Sequence, residues 1–442
     1  MIKRTPYDIE ALFSLAKSDI FCNTSYPLKP QYFYDHKSNE DIMRDVDSLS
    51  FYFHIPFCRQ LCRFCEYTRF LSRDEKSEIK YVSDLIDQAS RYMDTHPVKL
   101  LYGLDIGGGT PTSLKTAPFG MLVSYISDLL DTLPLEEGLE SSMEFSFSTI
   151  DDEKTEIISR SGIHRMSTGI QIYDKEILEK NHREMFSVMQ MKKVMSRLHS
   201  AGIGKINLDI MYGFNEQTDL TIENTQRVIE ELSPEQVTLY EMRYNRNTLP
   251  HERITRQILF DQYEKLYNGI IALGYHAEFG MNTFSRSADK GVSSYLRKRM
   301  LEAKAYKGFG ISAQSMSMNG ISYNILKSCK DTYLLDHDGI TEEDVYLLPK
   351  EDIAAKYVSV SLYHGQFSFI VLSEILGTDA KEYYHKESEY LAENQLVYDC
   401  GNGVYRLTRK GFLYYGAVAA LFWSAHHREC YIKDRKARGE TV

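Results

Sequence analysis

The sequence predicts an α/β protein built on a partial (β/α)6 barrel. Six short β-rich runs, Leu49–His54, Lys99–Ile106, Met143–Thr149, His164–Ile172, Lys205–Tyr212 and Gln236–Met242, alternate with polar, helix-forming stretches such as Glu75–Arg91, Phe119–Leu133, Phe186–Ala201 and Asp219–Leu232. That alternation predicts parallel strands joined by right-handed crossovers. Length supports it: 442 residues, 43% hydrophobic, leave room for two or three domains and a large core. The pattern changes near residue 345, giving an N-terminal extension (1–48), a barrel with its own extension (49–345) and a small C-terminal α+β domain (346–442).

Taken in order, the extension carries Asn23-Thr-Ser-Tyr-Pro27, which reads equally as an ordinary Ser/Pro turn or as a motif element placed ahead of the barrel. The first strand runs into three cysteines. Gly107-Gly-Gly-Thr-Pro-Thr112 ends the second strand, where glycines let backbone approach a ligand or make a tight turn. Strand four ends in Gly169-Ile-Gln171, strand five in Asn207-Leu-Asp209 and strand six near Tyr240 and Met242. In a barrel of this type the active site lies at the C-terminal strand ends. Beyond the barrel, Leu396–Arg406 reads as strand, Gly-Asn-Gly turn, strand.

Composition excludes several classes. With 52 basic and 62 acidic residues, the net charge of −10 disfavours a nucleic-acid binder. The apolar run Tyr415–Trp423 is too short to span a bilayer. Seven cysteines in a long chain without a signal-like start favour a reducing cytoplasm over a disulfide framework. Cys22, Cys329, Cys400 and Cys430 are scattered and read as structural or incidental.

The remaining cysteines stand together in Tyr52-Phe-His-Ile-Pro-Phe-Cys58-Arg-Gln-Leu-Cys62-Arg-Phe-Cys65. Three thiolates spaced C-x3-C-x2-C suit a loop around one 4Fe–4S cluster, leaving one iron open for a substrate. Zinc sites use separated pairs instead. The spacing, with Phe64 before the last cysteine, resembles the radical S-adenosylmethionine (SAM) superfamily. The lead-in from Tyr52 resembles its HemN-like branch, named for oxygen-independent coproporphyrinogen III oxidase.

The resemblance implies a radical SAM barrel with a winged-helix-like C-terminal domain, a 4Fe–4S cluster on Cys58, Cys62 and Cys65, and reductive cleavage of SAM to a 5′-deoxyadenosyl radical. It places Tyr52 among the catalytic and cofactor-contacting residues. It carries Phe64, Gly108, Gly109, Thr110, Gln171, Arg183 (of Asn181-His-Arg-Glu) and Asp209 onto SAM. Tyr240 and Met242 pack on adenine or simply in the core. Gln314, in Phe309-Gly-Ile-Ser-Ala-Gln-Ser315, flanks a second SAM or the substrate, together with Tyr323 and Asn324.

Two positions depart from the family. Tyr67 stands where the oxidase has a fourth cysteine. Ser148 falls where the family has a SAM-binding Glu, with Glu144 or water as the substitute. These departures favour a reaction using two SAM molecules to methylate, cyclopropanate or ring-open an sp2 carbon of a small conjugated substrate. The alternatives are coproporphyrinogen III decarboxylation, with Arg243, Arg246 and Arg253 for propionates, and a haem chaperone, with His54, His426 or His427 as ligands. The two C-terminal histidines read as surface residues. Expected partners are the small-molecule substrate and an electron donor such as flavodoxin or ferredoxin, with neither nucleic acid nor membrane.

Overall fold

The computed structural model describes residues 7–17, 26–72, 74–244, 254–287, 291–325 and 342–437. Six β/α units follow in chain order. They are β1 (Ser48–Ile55), α1 (Glu75–Thr95), β2 (Leu100–Gly108), α2 (Thr116–Thr132), β3 (Ser142–Glu144), α3 (Asp152–Ser159), β4 (Arg165–Gln171), α4 (Val188–Ser200), β5 (Lys205–Tyr212), α5 (Asp219–Leu232), β6 (Gln236–Glu241) and α6 (Arg256–Ala272). All neighbouring strands from β1 to β6 pair in parallel. Helix starts are set by local chemistry: the Asp74 carboxylate accepts from Ser77 N, and Ser187 with Gln190 forms a capping box.

A seventh parallel strand extends the six-unit reading. After α7 (Ser294–Met300), β7 (Tyr306–Phe309) pairs in parallel with β1 and continues antiparallel through β8 (Gln314–Ser317), β9 (Gly320–Ile325) and β10 (Glu342–Leu347). Four residues carry too little periodicity to reveal β7 alone.

β3 is shorter than its sequence run. It leaves the sheet after Glu144 because Thr112 Oγ1 and Thr149 Oγ1 both lie 3.3 Å from Ser146 N, and Thr149 N closes a turn on Ser146 O. Local hydroxyl bonds here replace the ladder.

The C-terminal part begins at α8 (Lys350–Ser361). It holds a three-stranded antiparallel sheet of Gln366–Ser368, Val404–Leu407 and Val397–Asp399. The turn Gly401-Asn402-Gly403 has three successive positive φ angles (82°, 52°, 72°), which only Gly and Asn accept readily. The apolar run Tyr415–Trp423 is buried in this unit's core. Among the described residues no helix is long and apolar enough to cross a membrane.

Residues ahead of the barrel are stitched to that unit: Tyr7 OH donates to Leu421 O at 2.9 Å, and Phe13 packs on Tyr390 with ring centroids 5.5 Å apart. Asn23, Thr24 and Ser25 lie outside the described residues, whereas Tyr26 is buried and donates to Asp352.

Candidate active site

The cysteine loop leaves the C-terminal end of β1 and is zipped at its base. Phe57–Cys58 pairs with Phe70–Leu71, and Phe70 N donates to Pro56 O at 2.7 Å. Inside, Cys65 N reaches Cys62 O at 3.3 Å, and Arg69 Nη2 donates to Cys62 O at 2.6 Å. His54 lies beneath, buried, its Nε2 3.1 Å from Thr68 O. That bond uses His54 within the loop rather than leaving it to ligate a haem. Burial holds its imidazole down at about 4.

The glycine turn after β2 is fitted against this loop. Gly109 N donates to Ile55 O at 2.7 Å and Thr110 N to Phe57 O at 2.8 Å. A Cβ on Gly109 would lie 2.6 Å from Phe57 O and 2.9 Å from Cys58 Sγ. Gly108, at φ 115°, passes against the His54 ring and donates its N–H to Glu144 Oε2 at 3.1 Å. Glu144 therefore supplies a carboxylate at the end of β3. Ser148 sits beyond the strand, its Oγ 3.3 Å from Ser146 Oγ and its carbonyl accepting from Arg59.

Across the mouth, Arg183 donates from Nη2 to Gly169 O and from Nη1 to Cys62 Sγ at 3.6 Å. Gln171 takes φ 65°, and its amide fills the space a Gly169 Cβ would need. Asp209 is paired in register with Gly169 and accepts from Asn207 Nδ2 at 2.7 Å. Burial pushes its carboxyl up to about 6, against the pull of Arg165 and the bonds from Asn207 and Ser167. At Glu144, desolvation by the surrounding protein and the charge of Asp209 both raise the pKa, against the bond from Gly108 N and the pull of Arg165.

Phe64, far off in sequence, joins Tyr240 and Met242 in one apolar cluster with Ile172, Met211 and Phe214. Gln314 lies on the other side, taking hydrogen bonds from Tyr306 OH and from Arg299 Nη2 at 3.3 Å. Tyr52 stacks on Tyr295 there at 5.8 Å.

Several sequence expectations change. His427 is fully buried, stacked on Tyr26 at 4.3 Å, because N- and C-terminal segments close over it. His426 is half-buried and contacts Tyr32 O at 3.0 Å. Arg243 is ion-paired with Glu66 at 3.0 Å, while Arg246 and Arg253 lie outside the described residues. Asn324 is a buried clamp, donating to Gly308 O at 3.1 Å and Gly310 O at 2.8 Å, with Tyr323 beside it. Sequence reasoning missed Arg69, Arg299 and Tyr363. None sits in a spaced motif; Tyr363 reaches Tyr240, at 6.0 Å, only because the C-terminal unit folds back.

The donor set fits an iron–sulfur cluster. Gly109 lacks the Cβ that would crowd Cys58 Sγ, and Arg69 and Arg183 provide cations beside the sulfurs. Burial pushes the Cys58 thiol up to about 11 and raises Cys65, so without metal both are neutral; binding iron releases their protons. Among the described residues no three His, Cys, Asp or Glu converge on one metal ion, and a cluster instead takes each thiolate on its own iron.

Residues 52–229 match the Radical SAM superfamily, so the chain carries a radical SAM domain. Within that superfamily its similarity is to HemN-like proteins. It is 29% identical over 328 residues to an oxygen-independent coproporphyrinogen III oxidase of Paracoccus denitrificans, covering 68% of this chain and 70% of that one. It is 26% identical to the heme chaperone HemW of Haemophilus influenzae, spanning 53% of this chain but only 62% of that protein's length. The fold matches that of coproporphyrinogen III oxidase (HemN) from Escherichia coli, with TM-score 0.69 at 21% identity, over 85% of this chain and 90% of that one.

Proposed function

We propose that this chain is a radical SAM enzyme acting on a tetrapyrrole, with Cys58, Cys62 and Cys65 holding a 4Fe–4S cluster. The observation that carries this is the cysteine loop at the C-terminal strand ends together with two aromatic pairs, Tyr52–Tyr295 at 5.8 Å and Tyr240–Tyr363 at 6.0 Å, flat rings suited to a flat conjugated substrate. The relatives named above are likewise proteins of coproporphyrinogen and heme.

Bound together, cluster and SAM would supply reductive cleavage of the sulfonium and a hydrogen-abstracting radical. The protein's part is binding and aim. Arg183 faces the SAM carboxylate, and Gly108, Gly109 and Thr110 offer backbone at the methionyl end. Glu144, in place of Ser148, takes the ammonium. Gln171 and Asp209 serve the polar groups of the nucleoside, and Phe64, Tyr240 and Met242 its adenine. The aromatic pairs exclude water from the reacting carbon, and an electron donor of the flavodoxin or ferredoxin kind meets the loop from outside.

A second reading, alkylation through a second SAM near Gln314, is favoured by Tyr67, which stands 64% exposed where the oxidase has cysteine. Mass spectrometry separates the two. With reconstituted protein, SAM, dithionite and coproporphyrinogen III under anaerobiosis, 5′-deoxyadenosine with a vinyl product supports oxidative decarboxylation. S-adenosylhomocysteine with an alkylated product supports the second reading. No change in any tetrapyrrole offered, with SAM still cleaved, refutes the tetrapyrrole substrate.

A further inference from the structure

Three cations, Arg299, Lys304 and Lys356, line one cavity, and among the described residues neither Arg299 nor Lys356 is ion-paired. The cavity lies between α7, β7 and α8 and is lined by Arg299, Tyr306, Lys356 and Tyr357, among others. Arg299 stacks over Tyr306, with its guanidinium carbon 4.7 Å from the ring centroid. Beside that ring it makes long hydrogen bonds, 3.4 Å to Tyr295 OH and 3.3 Å to Gln314 Oε1. Lys356 is 5% exposed, and its Nζ donates to Tyr26 O at 2.7 Å. Among the described residues no carboxylate lies within 4.0 Å of either group; Asp105, which Arg299 influences from further off, is already bonded to Ser293.

Two like charges side by side in protein are costly unless an anion joins them. Burial, with Arg299 and Arg243 adding repulsion, lowers the Lys356 ammonium to about 7, the response expected where that anion is missing. Arg299 is bonded to Tyr295 OH, and Tyr295 stacks on Tyr52 at 5.8 Å, which links this cavity to the proposed substrate space.

We propose that Arg299 and Lys356 form an anion site that binds a carboxylate arm of the substrate while its conjugated body lies against the tyrosines. The guanidinium offers a two-point fork to carboxylate, and the ammonium adds a point charge. The site deepens the tetrapyrrole reading but requires only a carboxylate on a flat apolar body, so the two are tested separately.

The test measures equilibrium binding to the cluster-reconstituted protein, with pyrenebutyrate against neutral pyrenebutanol and coproporphyrin III against its tetramethyl ester. Pyrenebutyrate is expected to bind about tenfold tighter than the alcohol, the scale of one charge-assisted pair. Arg299→Met and Lys356→Met should each remove most of that preference, with the alcohol's affinity unchanged, and Arg299→Lys should restore part of it. If coproporphyrin III fails to bind while the pyrene preference holds and depends on Arg299, the anion site stands and the tetrapyrrole reading falls. Equal affinity of acid and alcohol in the wild-type protein, a measurement that needs no variant to fold, overturns the site. So does equal weakening of both ligands by Arg299→Met.

Discussion

Replacing Gly109 by Ala probes the fit between the glycine turn and the cysteine loop. The new methyl would meet Phe57 O at 2.6 Å, Pro56 C at 2.9 Å and Cys58 Sγ at 2.9 Å. Two of these neighbours are backbone, so no side-chain rotation relieves the clash, and the loops must separate. Overpacking of this kind costs about 1–3 kcal/mol. Separation also stretches the bonds from Gly109 N to Ile55 O and from Thr110 N to Phe57 O, worth about 1 kcal/mol each. The sum, roughly 3–5 kcal/mol, falls on the segment that aims Cys58. Gly109→Ala should therefore reconstitute with clearly less iron and sulfide per chain and melt several degrees lower. Gly120→Ala is the control: it lies within α2, its nearest neighbour would be Ile157 Cδ1 at 3.7 Å, and Ala in a helix interior is worth about 0.5–1 kcal/mol over Gly. Full iron content and an unchanged melting temperature in Gly109→Ala would refute the reasoning.

Arg183→Met removes the donor to Gly169 O and the cation beside Cys62; iron content should persist while the Kd for SAM, by calorimetry, rises about tenfold or more, and an unchanged Kd would dismiss Arg183 as the carboxylate partner. Asn324→Ala removes the side-chain donor from two buried carbonyls, of which Gly310 O keeps only a long bond from Ala313 N, and should lower stability by about 2 kcal/mol in urea; a loss below about 0.5 kcal/mol would argue against the clamp. His364 is buried with no partner on either ring nitrogen among the described residues, and burial holds its imidazole down at about 4. The unfolded chain binds that proton near pH 6.5 and the folded one only near 4, so stability present above pH 6.5 is lost as pH falls through that window, by up to ~1.4 kcal/mol per unit. The urea midpoint of His364→Phe should therefore fall less between pH 7.5 and 5 than that of the wild type, and equal falls would contradict this.

Much of the site was legible because it is local in sequence. The cysteine spacing, the glycine turn and Asp209 each follow a strand of clear periodicity, and a parallel barrel brings all such ends to one face. Phe64, Tyr240 and Met242 were nameable individually, but their sharing of one cluster was not. Arg299 and Lys356 carry no motif at all. His427 was misread because an exposed-looking pair near a chain end gives no sign of the Tyr26 ring that covers it.

By itself the sequence determined the α/β class, the order of the six units, the cysteine triad and the glycine turn, since these depend on period and spacing within short stretches. Only the tertiary structure decided that Glu144 and not Ser148 bonds the glycine turn, that Arg243 is taken up by Glu66, and that cations from different elements line one cavity. Those outcomes depend on which strand ends and helices pack together, and burial and electrostatics act through space rather than along the chain.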